Sequence, residues 1–223
     1  MTQLRFGVLG PISAERAGES LPLKGPRHRA VLARLLVARG RMVSMDQLID
    51  DLWERPPRGA VGAIQTFVAD LRRVLEPDRA PRSPAEVLVT VAPGYALRTE
   101  NVDADRFEAA VVRTAELLAT EHFDRALSTA DAALALWRGP AYAEFAEQGW
   151  ARAEVDRLDG LRLLAIEHRA AALIDLARPA EAVPALNTLL AEHPLREHAW
   201  QLLAIALYRS GRQSDALAAL RRI

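Results

Sequence analysis

Val43–Arg98 reads VSMDQLIDDLWERPPRGAVGAIQTFVADLRRVLEPDRAPRSPAEVLVTVAPGYALR, and its periodicities decide the fold. Ser44 followed three residues on by Gln47 is a capping box, which opens a helix. Met45, Leu48, Ile49 and Leu52 recur at i, i+3, i+4 and i+7, so one side of that helix faces a core. Pro56 and Pro57 end it and begin another, predicted over 57–76. In this second helix Ile64, Phe67, Val68, Leu71 and Leu75 form the buried stripe. The opposite side presents Arg58, Gly62, Gln65, Thr66, Ala69, Arg72 and Arg73. Pro77, Pro81 and Pro84 mark a loop. Val87–Thr99, VLVTVAPGYALRT, then gives two β-rich runs around a Pro-Gly turn. Helix, turn, helix and β-hairpin make a winged helix-turn-helix, a shape that fits a helix into the major groove of DNA.

Upstream, Leu4–Gly10 (LRFGVLG) alternates as a strand does, and Pro11, Gly18 and Gly25 punctuate two further short strands ending at Leu21–Leu23. A helix is expected from about Pro26 to Arg39, with Val31, Leu32, Leu35 and Leu36 as its apolar stripe and Gly40 as its stop. Lys24, Arg27 and Arg29 sit before or within its first turn. There a phosphate oxygen would gain from both the cations and the free N–H groups. The other reading of these three cations is solubility, and the residues alone leave both open.

From Asp105 onward every periodic segment is helical. The last part repeats at 34 residues: Leu173 with Leu207, Ala177-Arg178 with Gly211-Arg212, and Glu181-Ala182 with Asp215-Ala216. That is the period of the tetratricopeptide helix hairpin, with Pro194 where such a repeat turns; the competing reading is a generic helical bundle. Trp137, Tyr142, Phe145 and Trp150 surround the Arg138-Gly139-Pro140 break. They read either as a docking surface or as helix-corner packing, and large aromatics favour packing. The expected architecture is an α+β winged helix-turn-helix over residues 1–100, followed by an all-α tetratricopeptide-like domain over residues 101–223.

Composition narrows the chemistry. The 223 residues are 50% hydrophobic, enough to bury real cores, and the absence of cysteine excludes disulfides and thiolate metal sites. Zero net charge hides an asymmetry: residues 1–100 hold 15 Lys and Arg against 11 Asp and Glu, and residues 101–223 hold 14 against 18. A basic first half and an acidic second half fit a DNA-binding module joined to a protein-binding one. The N-terminus has too short an apolar run for a signal peptide, and no window has the roughly 18 apolar residues of a membrane span, so a cytoplasmic protein without membrane contact is expected. The five histidines have no ligand spacing, and no G-x-x-x-x-G-K loop occurs. Serines and carboxylates lack the neighbourhoods of nucleophiles or acid–base pairs. No metal, no cofactor, no catalytic residue and no enzyme is expected.

The segments FGVLGP, GPRHRAVLARLLVARGRMVSMDQLIDDLW, AIQTFVADLRRVLEP, APGYALR, ALALWRGPAY and RQSDALAALRR, in that order, resemble the antibiotic regulatory protein family of actinomycetes. That family consists of transcriptional activators that pair a response-regulator-type winged helix with a bacterial transcriptional activation domain of tetratricopeptide-like helices. The resemblance covers nearly the whole length. It implies double-stranded promoter DNA bound at direct repeats near the −35 region, a tandem, head-to-tail homodimer there, and RNA polymerase, through its sigma and alpha subunits, as partner. It further implies control of secondary-metabolite genes. Many relatives carry a basic residue directly after the Gly-Tyr of the wing; here that position is Ala96, and Arg98 is the nearest cation. The final helix looks truncated at Ile223. A receiver domain ahead of the winged helix is not expected, and phosphorylation of a local aspartate is not implied.

The expected DNA-contacting residues are Arg58, Gln65, Thr66, Arg72 and Arg73 on the groove helix, Lys24, Arg27 and Arg29 at the first helix, and Arg98 beside the wing. Arg can fork onto guanine and Gln onto adenine, worth about 1–3 kcal/mol of discrimination for a good pair. On an isolated helix the same residues would be an ordinary solvated face; the hairpin after it and the capped helix before it favour DNA contact. A different class of function is a helical-repeat scaffold that never touches DNA, supported by the neutral total charge. Salt dependence of any DNA complex separates the two.

Overall fold

The computed structural model describes residues 4–80 and 82–222. Pro81, one of the three prolines of the loop, and Ile223, the expected point of truncation, lie outside the described residues. The chain forms two compact units, residues 1–105 with 138–157 and residues 106–137 with 158–223. Among the described residues no helix is long and apolar enough to cross a membrane.

The first unit opens with β1 (Leu4–Gly7), β2 (Ser13–Arg16) and β3 (Glu19–Ser20), an antiparallel sheet in that order. β1 is shorter than its alternation suggests, for a physical reason. The Val8 and Leu9 N–H groups donate to the Asp103 carboxylate at 2.7 and 3.2 Å. Their carbonyls accept from Tyr142 and Arg138 at 2.7 Å each. The strand has exchanged its ladder for side-chain and loop partners, which keeps its polar backbone satisfied.

Three helices follow: α1 (Pro26–Val37), α2 (Met45–Leu52) and α3 (Ala60–Leu75). Val31, Leu32, Leu35 and Leu36 of α1, Leu48 and Leu52 of α2, and Ile64, Val68, Leu71 and Leu75 of α3 are all buried. Ser44 caps α2 as a full capping box, its Oγ accepting from Gln47 N–H and Gln47 Oε1 accepting from Ser44 N–H, both at 3.1 Å. β4 (Val43–Ser44), β5 (Leu88–Val91) and β6 (Gly94–Leu97) make a second antiparallel sheet in the order β4-β6-β5. β4 anchors the hairpin back to the start of α2, a pairing the period-2 pattern does not reveal.

The predicted helix over 57–76 begins at Ala60. Pro57–Gly59 instead form a turn in which Ala60 N–H donates to the Pro57 carbonyl at 3.0 Å, with Gly59 as N-cap. Arg58 is therefore an exposed turn residue and not part of the helix face.

The second unit is helical. α4 (Asp103–Ala119) and α6 (Gly149–Asp175) begin in the first unit and continue here. α5 (Phe123–Leu134), a 3-10 turn (Pro179–Glu181), α7 (Val183–Glu192), α8 (Glu197–Arg209) and α9 (Gln213–Leu220) lie wholly within it. The 34-residue repeat is a repeat of caps. Ala177 and Gly211 both adopt left-handed φ, at 57° and 78°. Arg178 N–H donates to Leu173 O at 2.8 Å and Arg212 N–H to Leu207 O at 2.9 Å, the six-to-one bond of a Schellman end. Arg178 then pairs with Glu181 and Arg212 with Asp215, both at 2.7 Å, over buried Ala182 and Ala216. A third copy, with Glu121 at φ 58°, His122 N–H on Leu117 O and buried Ala126, lies 56 residues earlier and escapes the 34-residue period. Trp137 makes an edge contact with Phe107 at 5.4 Å, and Tyr142, in the first unit, is buried; both pack.

His168 on α6 carries a pH dependence. Burial is the main influence lowering its proton affinity below that of an ordinary histidine, with His198 adding to it and Glu167 opposing, and its buried Nδ1 has no hydrogen-bond partner. The folded state thus favours neutral imidazole. The contribution is fully present above the ordinary histidine value of about 6.5 and is lost as pH falls below it towards the lowered folded value. Urea midpoints at pH 7.5 and pH 5 should fall further for the wild type than for His168→Gln; equal falls would show that the ring does not titrate with folding.

Candidate nucleic-acid interface

The outer side of α3 is open. Gln65, Thr66 and Arg73 are exposed, Arg73 to 74% of its side chain, while Ile64, Val68 and Leu71 turn inward. Gly62 offers no side chain, and the Thr66 hydroxyl donates back to the Gly62 carbonyl at 2.9 Å. The Thr66 hydroxyl is thus engaged by the helix itself, while Gln65 and Arg73 keep the long polar reach.

Arg72 has a different setting. Its Nε donates to the Leu88 carbonyl and its Nη2 to Thr90 Oγ1, both at 2.8 Å, and its guanidinium lies 5.7 Å from the Tyr95 ring centre. Burial lowers its proton affinity, without threatening the charge of a guanidinium. Arg72 stitches α3 to β5 of the hairpin. Phe67, half-buried, fills the other flank against His28 at 4.8 Å and Trp53 at 6.4 Å between ring centres.

The cations around α1 are also engaged. Gly25 is the N-cap, with no side-chain cap and no acidic residue in the first turn. Arg27 donates to the Leu52 carbonyl and lies 5.2 Å from the Trp53 ring centre. Arg29 pairs with Glu144 at 2.5 Å and donates to Lys24 O at 3.0 Å. Lys24 pairs with Asp70 of α3 at 2.9 Å. Arg98, exposed just after β6, uses its backbone N–H on the Val87 carbonyl at 2.7 Å. The structure therefore brings Lys24 and Arg73 to one carboxylate, keeps Gln65 and Thr66 exposed two turns earlier on α3, commits Arg72 to the hairpin and Arg27 to the α2 end, and leaves Arg58 and Arg98 exposed outside the helix.

Two features were not legible in the sequence. Asp70 read as a helix-face carboxylate, and only the fold shows three donors meeting on it. Asp103, at the start of α4, binds the strand backbone and Arg138 together, at 3.1 Å to the latter. Among the described residues no group of three or more His, Asp or Glu side chains is arranged to hold a metal.

Residues 18–97 match the family model described as the C-terminal part of transcriptional regulatory proteins, and residues 102–223 match that of the bacterial transcriptional activator domain. The regulatory protein AfsR of Streptomyces coelicolor is 40% identical over 219 residues, which are 96% of this chain and 21% of AfsR. The transcriptional regulatory protein MoaR1 of Mycobacterium bovis is 35% identical over 224 residues, 99% of this chain and 71% of MoaR1. The solved structure of Mycobacterium tuberculosis EmbR in complex with a low affinity phosphopeptide superposes with a TM-score of 0.90 at 37% identity, over all of this chain and 59% of that one. The chain thus spans between a fifth and about seven tenths of the length of these relatives.

Proposed function

The chain belongs to the antibiotic regulatory protein family of actinomycetes, and on that premise we propose that it is a sequence-specific, DNA-binding transcriptional activator of secondary-metabolite genes. Residues 1–100 bind promoter DNA, with α3 in the major groove and the β5–β6 hairpin against the adjacent minor groove. Residues 101–223 pair protomers and engage the sigma and alpha subunits of RNA polymerase. Direct-repeat operators would seat two protomers head to tail rather than about a two-fold axis. Such a regulator acts in the cytoplasm.

The observation that carries this reading is the open face of Gln65, Thr66 and Arg73 on a helix pinned to a hairpin by Arg72. Gln65 and Arg73 are the residues that read bases; Lys24, Arg29 and Arg98 are phosphate contacts, which fix register without reading sequence. The test is selection of bound fragments from a genomic library, followed by mobility shifts on the selected operator. Gln65→Ala with Arg73→Ala should weaken operator binding about 10- to 100-fold, or about 1–3 kcal/mol, at unchanged thermal stability. Arg72 is left intact because its loss would loosen the wing. Wild-type binding in the double variant would remove α3 from the groove; no complex with any fragment, at any salt, would favour the scaffold reading.

A further inference from the structure

A carboxylate sits among the cations of the winged helix. Asp70, its side chain 13% exposed, takes Lys24 Nζ at 2.9 Å, His28 Nε2 at 3.1 Å and Arg73 Nη1 at 2.6 Å. Lys24 and Arg73 are far more open, at 49% and 74%. The two cations thus cover the carboxylate and keep their outer sides in water. Lys24 reaches it from a left-handed backbone, φ 57°, unfavourable for a residue with a Cβ. The Lys24 and His28 hydrogen bonds, with the charges of Lys24 and Arg73, hold Asp70 below the ordinary carboxylate range against the opposing pull of burial, so it is ionised at neutral pH.

We propose that Asp70 is a specificity-determining residue: it keeps Lys24 and Arg73 paired within the protein on unrelated DNA and yields them, Lys24 to a phosphate oxygen and Arg73 to a base edge, only when α3 is seated in its operator. The inference rests on the DNA-binding reading above. Non-specific affinity is almost wholly cation–phosphate attraction. A cation already paired adds little to it, and these pairs are open on their cationic side, Lys24 at 49% and Arg73 at 74%, where a DNA oxygen or base edge can compete for them. On an operator, base contacts hold α3 deep in the groove and bring phosphates within reach. The Lys24 bond then passes from carboxylate to phosphate, one charge-assisted bond replacing another, and Arg73 turns from carboxylate to base edge. On a random duplex nothing holds the helix there, and the internal pairs persist.

Binding of the whole chain to the selected operator and to a random duplex of equal length, over a range of salt, tests this. Asp70→Asn frees two cations. Its random-duplex affinity should rise about tenfold and its salt slope steepen by about two units, so that the operator-to-random ratio falls about tenfold. Unchanged or weaker random binding by folded Asp70→Asn overturns the proposal. Lys24→Met is a second arm that leaves Asp70 in place. It should shallow the operator slope by about one unit and leave random binding untouched; an equal effect on both duplexes, or on neither, overturns the proposal. If the wild type binds neither duplex, the DNA-binding reading falls and this inference with it. If the wild type prefers its operator and Asp70→Asn keeps that preference, only this inference falls.

Discussion

Gly94→Ala is expected to melt the winged helix about 10 °C below the wild type and to abolish operator binding. Gly94 begins β6 and pairs with Ser44 on one side and Val91 on the other. A Cβ there would run into the Val43 carbonyl oxygen and stand 2.7 Å from Ser44 Cα. Both neighbours are backbone, so no rotamer change relieves the clash; β4 must leave β6, or the hairpin must shift. Either loosens the sheet that orients the wing against α3, at a cost of about 3 kcal/mol or more. A thermal melt followed by far-UV circular dichroism checks the first part and a mobility shift the second. A variant melting within about 2 °C of the wild type would show that β6 slides past β4 freely and that the wing is not set by this pairing.

The second large effect belongs to the helical unit. Glu167 of α6 is 2% exposed, and both of its oxygens accept from Arg196, at 2.8 Å from Nε and 2.8 Å from Nη2. The same bonds raise the proton affinity of Arg196. Arg196→Ala would strand a buried carboxylate, which costs about 3–5 kcal/mol. Replacing both partners, Glu167→Leu with Arg196→Met, should recover most of that loss, because a well-packed apolar pair needs no desolvation of charge. Urea unfolding of the single and double variants measures both. A single variant losing less than about 1 kcal/mol would mean that water reaches Glu167, and a double variant no better than the single would mean that packing, not charge, holds this corner.

The legible parts of the fold were those written in local periodicity. The stripe Ile64, Val68, Leu71 and Leu75, the Ser44–Gln47 box and the Val87–Thr99 hairpin each depend on residues within a turn or two of one another, and each formed where its pattern lies. The departure at Pro57–Gly59 is also local: the proline predicts the first helical turn, whereas the glycine two residues on takes the N-cap. The site was legible only as a set of cations. Arg72 and Arg73 are neighbours of one residue type, 100° apart on the helix, and nothing in the sequence says which finds the hairpin. The hairpin carbonyl of Leu88 and the ring of Tyr95 decide that for Arg72, and Asp70 decides it for Arg73.

By itself the sequence determined most of the helices, the hairpin, their buried sides and the 34-residue repeat, because helix and strand periods and cap chemistry act over a few residues. The tertiary structure alone decided which charges are spoken for. Asp70 gathers Lys24 and His28 from over forty positions away, and Asp103 gathers Val8, Leu9 and Arg138. Such pairs form wherever packing leaves a carboxylate and a donor within about 3 Å, a condition that no period along the chain encodes.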